Sequence, residues 1–270
     1  MFKLMILVSD PDQAIIAENA GVDRIFYDLE YINKAERQRG RNTVISHNDI
    51  NDIPKIKRVL SDSKLLVRTN PINAYSKDEV EKAISFGADI LMLPMVVSEE
   101  QVKEYVGYVN GRAKICIMIE TAQALARIDD FIAIDGVDEF FVGLNDLHIS
   151  LGLDFMFELL SDGLLDYIAF KLNAANKPWG FGGIARIGEG TLPAERILAE
   201  HVRLKSGSVI LSRTFKGMLE RTEDITIGNI NEEIAKIRNY YDAISNWSSN
   251  QFLENKVEVR RIVRNIVAHV

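Results

Sequence analysis

Apolar residues along this chain arrive in two rhythms. Short runs dominated by Ile, Leu, Val, Met and Phe fall at 4–8, 24–29, 65–69, 90–93, 114–119, 139–142, 179–184 and 208–211. Such runs, with little polar alternation, fit strands buried on both faces. Between them lie longer segments with the start and stop signals of helices. The stretch 76–86 opens with Ser76, Asp78 and Glu79 and meets Gly87 at its end, and Ser98 stands in the same way before Glu99, Glu100 and Gln101. Strand and helix in alternation predict parallel βα units, and eight of them predict a (β/α)8 (TIM) barrel. An open doubly wound sheet is the alternative that the same count allows.

Two regions depart from this rhythm. The polar stretch 30–46 follows a strand end and reads as a long loop across the strand termini. After Leu211 a helix-like region runs to Ser245, with Asn231, Glu232 and Glu233 opening the segment 234–241, and a polar patch at 246–250 leads to a basic amphipathic piece at 257–267. There Val257, Val259, Ile262, Val263 and Ile266 interleave with Arg260, Arg261 and Arg264. This face needs a partner, so the expected organisation is a barrel at 1–245 and a helical extension at 246–270 packed on its own barrel or on a neighbouring subunit, in a homo-oligomer. A membrane-surface role is the lesser reading.

Composition narrows the function. The 270 residues suit one barrel, which typically takes about 250. A net charge of -7 speaks against nucleic acid as a partner, because phosphate binding rests on clustered cations. The single cysteine, Cys116, lies inside an apolar run, which rules out a disulfide framework or a thiolate zinc site and fits a reducing compartment. The opening run from Met1 to Val8 is too short to cross a membrane and reads as the first strand. A cytoplasmic protein with no membrane partner is expected.

Barrel active sites are built at the C-terminal strand ends, so polar residues that close an apolar run are the candidates. Glu120 ends one run and Gly143, Asn145 and Asp146 follow the next, and neighbouring strands about 4.8 Å apart let both carboxylates converge. Two carboxylates without a histidine cluster suit a hard divalent ion. Taken singly, Glu120 also reads as a helix N-terminal carboxylate and Asp146 as an N-cap. Arg68 ends a third run and is the clamp for a keto-acid carboxylate, or an ion-pair partner of Asp28 or Glu30. Asp28 and Glu30 bring acid/base or orienting carboxylates to the mouth. His47 and His148 are weaker candidates, as is the glycine-rich turn 180–186, which can present N–H groups to an anion.

Together these segments resemble the HpcH/HpaI aldolase and citrate lyase beta-subunit family. The matching pieces are Asp28-Leu29-Glu30, Val67-Arg68-Thr69-Asn70-Pro71, Gly87-Ala88-Asp89, Leu93-Pro94-Met95-Val96, Ile119-Glu120-Thr121 and Gly143-Leu144-Asn145-Asp146-Leu147 with Leu151-Gly152. The resemblance implies a phosphoenolpyruvate/pyruvate-type (β/α)8 barrel, Mg²⁺ or Mn²⁺ held by Glu120 and Asp146, and a keto acid bound at Arg68 near Pro94, Gly143 and Asn145. The implied activity is that of a class II aldolase, a carbon–carbon lyase joining or parting a 2-keto acid such as pyruvate and an aldehyde through a metal-stabilised enolate. A citryl-CoA or malyl-CoA type lyase acting on a CoA thioester is the alternative, and a non-catalytic metal-containing barrel that binds an anionic metabolite is a third. Tyr31 stands where the aldolase branch carries its acid/base histidine, which leaves water, Glu30, His47 or Tyr31 itself for that role.

Overall fold

The computed structural model describes residues 2–32, 48–219 and 229–269. Eight parallel strands pair each with the next and the ring closes between β8 and β1. They are β1 (Lys3–Val8), β2 (Arg24–Asp28), β3 (Lys64–Arg68), β4 (Ile90–Leu93), β5 (Lys114–Ile119), β6 (Glu139–Val142), β7 (Trp179–Ile184) and β8 (Ser208–Leu211). Each coincides with an expected run to within a residue at either end. Closure, with Lys3 in register with Ser208, excludes the open sheet.

Strand side chains alternate between faces. One set turns outward and packs with the helices into the main core, which holds Leu4, Ile25, Tyr27, Leu65 and Val67. The other fills the barrel: Met5, Phe26, Leu66, Met92, Cys116, Met118 and Phe141 form a separate buried cluster. Below that cluster Arg24 reaches across the ring from β2 to β6 and donates end-on to Glu139, from Nη1 and Nη2 at 2.6 and 2.8 Å. Burial opposes the Arg24 charge, but Glu139 outweighs it and raises the guanidinium's pKa. Above the cluster the same inward rows end in Asp28, Arg68 and Glu120.

The helix Ser76–Ser85 and the helix Glu99–Val109 fall where the start and stop signals place them, the latter capped by Ser98 through Gln101 N–H. Gly87 takes φ +102° after the first of them, and a Cβ there would meet Lys57 Cγ at 2.8 Å.

The helix Ile230–Ile244 buries Ile234, Ile237 and Ile244, and Arg238 ties it to the barrel base through the Phe2 and Gly21 carbonyls and Asp23. The last helix, Ser249–Val267, begins well before the expected 257. Ser248 and Gln251 form a reciprocal capping box, and inside the first half Asn255 is buried, donating to Arg196 O at 3.1 Å and Glu200 Oε1 at 2.9 Å. A buried asparagine breaks the apolar periodicity, which is why only the second half reads as amphipathic. Val259 and Val263 bury against the barrel's own helices, Glu158–Ser161 and Ala194–Leu204. Among the described residues no helix is long and apolar enough to cross a membrane.

Candidate active site at the carboxyl ends of the strands

Asp28 and Arg68 are register partners on β2 and β3. The carboxylate takes the guanidinium side-on, accepting from Nε and from Nη2 at 2.8 Å each. Glu30 approaches Nη2 at 3.3 Å, and the guanidinium lies over the Phe26 ring, 5.4 Å from its centre. Both carboxylates are buried, each 1% exposed. Burial disfavours the Arg68 charge, but Asp28 and Glu30 together outweigh it and raise its pKa. The third nitrogen, Nη1, meets among the described residues a weak acceptor, the Met118 thioether at 3.7 Å, so it is the donor with most to gain from a ligand. Of the two expectations for Arg68, the ion pair with both acids is present, and the guanidinium edge suited to a side-on grip is held by Asp28.

Glu120 follows β5 and is buried. It does not serve its own helix: Thr121 caps Ala122–Ala126, while Glu120 Oε1 accepts from Met95 N–H, beyond β4, at 2.8 Å. Met95 makes that bond from φ +54°, a left-handed backbone that a non-glycine residue adopts at a cost of about 1–3 kcal/mol. Sequence pattern carries no sign of this contact. Gly143 lies on the other side, where a Cβ would stand 2.5 Å from Glu120 Oε2 and 3.1 Å from Met118 Cε. The glycine is there for space, at an ordinary φ of -79°. It is also the N-cap of Leu144–Ser150, so Asp146 sits inside the first turn instead of capping it.

These groups line one cavity of about 270 Å³, with Asp28, Arg68, Glu120, Gly143, Asn145 and Asp146 as its polar wall. Leu7, Phe141, Leu144 and Ile210 supply the apolar wall. Among the described residues three carboxylates, on Asp28, Glu120 and Asp146, share this wall with one guanidinium, and Glu30 stands 3.3 Å from that guanidinium without lining the cavity. Burial, then repulsion from Glu30 and Asp146, pushes Glu120 up to about 8, against which Arg68 and the Met95 N–H act. A divalent cation between Glu120 and Asp146 would relieve that repulsion, and an oxygen-only donor pair is what Mg²⁺ or Mn²⁺ accepts. No group of three or more His, Cys, Asp or Glu among the described residues forms a metal cage. The pair therefore fits an ion that completes its shell with substrate oxygens and water.

The other candidates lie elsewhere. Tyr31 is 65% exposed and lines a neighbouring cavity of about 490 Å³ with Asn70, Tyr75 and Glu79. Pro94 is buried behind β4 and is not on the wall of the site, and the Met95 N–H reaches Glu120 instead. His47, with most of the polar stretch 30–46, lies outside the described residues. His148 is buried with Nδ1 3.2 Å from Leu144 O. Of the turn 180–186, Gly182 and Gly183 reach the cavity wall.

The model of the HpcH/HpaI aldolase/citrate lyase family matches residues 2–159, the part that carries every polar residue of this wall. The hydroxypyruvate/pyruvate aldolase of Roseobacter denitrificans is 26% identical over 184 residues, 56% of this chain and 65% of the relative. The 4-hydroxy-2-oxovalerate aldolase of Novosphingobium aromaticivorans is 30% identical over 135 residues, 37% of this chain and 50% of the relative. The chain thus spans less than two thirds of the length of these relatives. The crystal structure of an HpcH/HpaI aldolase from Desulfitobacterium hafniense superposes with a TM-score of 0.59 at 16% identity, covering 92% of this chain and 94% of the other. That likeness is one of fold.

Proposed function

This chain belongs to the HpcH/HpaI aldolase/citrate lyase family, and from that premise we propose that it is a divalent-metal-dependent carbon–carbon lyase of the class II aldolase type. Its donor is a 2-keto acid such as pyruvate, and its partner substrate an aldehyde. The observation that carries this reading is the convergence of Arg68, Glu120 and Asp146 on one cavity at the carboxyl ends of the strands.

Bound by Glu120 and Asp146, Mg²⁺ or Mn²⁺ would act as a Lewis acid toward the keto oxygen. Arg68 Nη1 donates to the substrate carboxylate or to the oxygen on which charge develops, in a cavity whose apolar wall keeps water away. Asp28 holds the guanidinium in place for that contact. Glu30, buried and in reach of Arg68, carries the proton that leaves the carbon next to the carbonyl. Tyr31, exposed on the neighbouring cavity, is not assigned that work. No lysine lines the cavity among the described residues, so a Schiff base is not invoked.

The test is hydrogen exchange of pyruvate in D₂O, followed by NMR, with metal-stripped protein, with added Mn²⁺ or Mg²⁺, and with Glu120→Ala. Metal-dependent exchange that the variant loses is the expected result. Absence of exchange with every keto acid tried would move the assignment to a CoA-thioester lyase or to a binding protein.

A further inference from the structure

A second cavity, of about 530 Å³, lies on the β7 and β8 side of the mouth. It shares Gly183 and Met156 with the site cavity, so the two are neighbours across a thin wall. Glycines make that wall thin. β7 slips register against β8 between Gly180 and Gly183, and Gly182 takes φ +58° with Leu144 Cδ1 2.8 Å from where a Cβ would be. At Gly183 itself a Cβ would meet only the Ile210 carbonyl oxygen, at 3.5 Å. Among the described residues no side chain comes within 4 Å of that position.

The lining of this cavity is chemically unlike that of the site. Its polar lining is Arg213, Ser212, Thr214 and Thr191, and its apolar lining includes Phe157 and Leu192. The Ser212 and Thr214 hydroxyls are 3.1 Å apart, side by side after β8. A guanidinium with three hydroxyls is a donor set for an oxyanion. The loops after strands 7 and 8 are also where barrels of this architecture frequently hold phosphate groups.

The geometry points to this cavity as the seat of a terminal phosphate on the acceptor aldehyde, a role that rests on the aldolase reading above. The carbon chain of such an acceptor crosses the wall at Gly183, bringing its carbonyl to the keto acid. The carbon next to the keto group, having lost a proton, attacks the aldehyde carbon. One carbon–carbon bond forms, the aldehyde C=O π bond breaks, and its oxygen takes up a proton. The product is a 4-hydroxy-2-keto acid with a phosphorylated far end, and cleavage is the reverse.

Isothermal titration of the full-length protein with glycerol 3-phosphate, which has no aldehyde and cannot react, tests the seat itself. Glycerol is the uncharged control. Glycerol 3-phosphate should bind at least about tenfold tighter than glycerol, and Arg213→Gln should remove about tenfold of that affinity, with Thr214→Val removing less. In turnover with pyruvate, glyceraldehyde 3-phosphate should be preferred to glyceraldehyde by a similar factor, and Arg213→Gln should erase the preference. Equal binding of the two ligands, or binding indifferent to Arg213, overturns the inference, as does displacement of glycerol 3-phosphate by pyruvate. Pyruvate hydrogen exchange without Arg213-dependent binding defeats this inference alone. Arg213-dependent binding without exchange defeats the aldolase reading and leaves the phosphate seat standing.

Discussion

Asp28 and Arg68 lie opposite each other on neighbouring strands, and the carboxylate occupies two of the three guanidinium nitrogens at 2.8 Å. Among the described residues Nη1 is the nitrogen that no carboxylate holds, so the proposed grip of Arg68 on a substrate is made from a fixed position. Lysine keeps the charge but not the planar fork. Arg68→Lys should therefore slow pyruvate hydrogen exchange nearly as much as Arg68→Ala. Asp28→Asn, which weakens the side-on pair, should slow it by about 10- to 100-fold, the equivalent of one charge-assisted hydrogen bond. Exchange rates and circular dichroism of the three variants check this. An Arg68→Lys protein close to wild type would sink the positional role.

Gly143 leaves room for the Glu120 carboxylate, which lies 2.5 Å from the place a Cβ would take. Gly143→Ala should therefore fold normally, since its φ suits any residue, while pushing Glu120 aside. Displacement of a reacting group by about 1 Å can cost roughly 100-fold in rate. The expected result is a thermal midpoint near wild type with exchange reduced about 100-fold. An active alanine variant would mean that Glu120 has another position from which to work.

The proposed metal site at Glu120 and Asp146 predicts a stability readout that needs no substrate. Mn²⁺ at a hundredfold excess over its Kd should raise the thermal midpoint of the metal-stripped protein by roughly 5 °C. Glu120→Gln should lose that response. Its metal-free form should melt no lower than wild type, because the change removes one of several mutually repelling buried carboxylates. Differential scanning calorimetry with and without Mn²⁺ decides it, and a response retained in the variant would place the ion elsewhere.

How much of this was legible beforehand follows from what each residue touches. The strands showed themselves because they are buried on both faces, so their apolar residues are consecutive. Glu120, Asp146, Arg68 and Asp28 stood out because each ends such a run at the face where barrels gather their chemistry. Contacts made by backbone atoms left no trace: Met95 reaches Glu120 through an N–H from a left-handed conformation, which no residue pattern announces. Tyr31 occupies a suggestive position in the chain, yet the backbone turns after Glu30, where its N–H and that of Ile32 both bond Asn70 Oδ1, and its ring faces a different cavity. Asn255 hid half of the last helix for the opposite reason, being polar and buried.

His201 gives the fold a pH dependence. Its ring stacks on Phe181 at 3.7 Å, with Nδ1 2.9 Å from Ser206 Oγ, and burial pushes its pKa down to about 3 from 6.5. Below pH 6.5 the unfolded chain takes up a proton that the folded chain refuses until about pH 3, so stability falls as pH drops through that window. Between pH 7.5 and pH 5 this one residue should cost about 2 kcal/mol. Urea unfolding of wild type and His201→Gln at the two pH values isolates it, the expected outcome being a loss about 2 kcal/mol smaller in the variant. Equal losses would show that His201 does not control the acid limb.

The ion pair at the closed end of the barrel bears on the open end. Arg24 belongs to the strand that ends in Asp28, and Glu139 to the strand that leads into Gly143 and Asp146. These two strands stand diametrically across an eight-membered ring whose width is set by strand number and stagger, and the pair braces it across that width. Asp28 on one side of the mouth and Asp146 on the other thus stand on strands that an ion pair braces at their opposite ends.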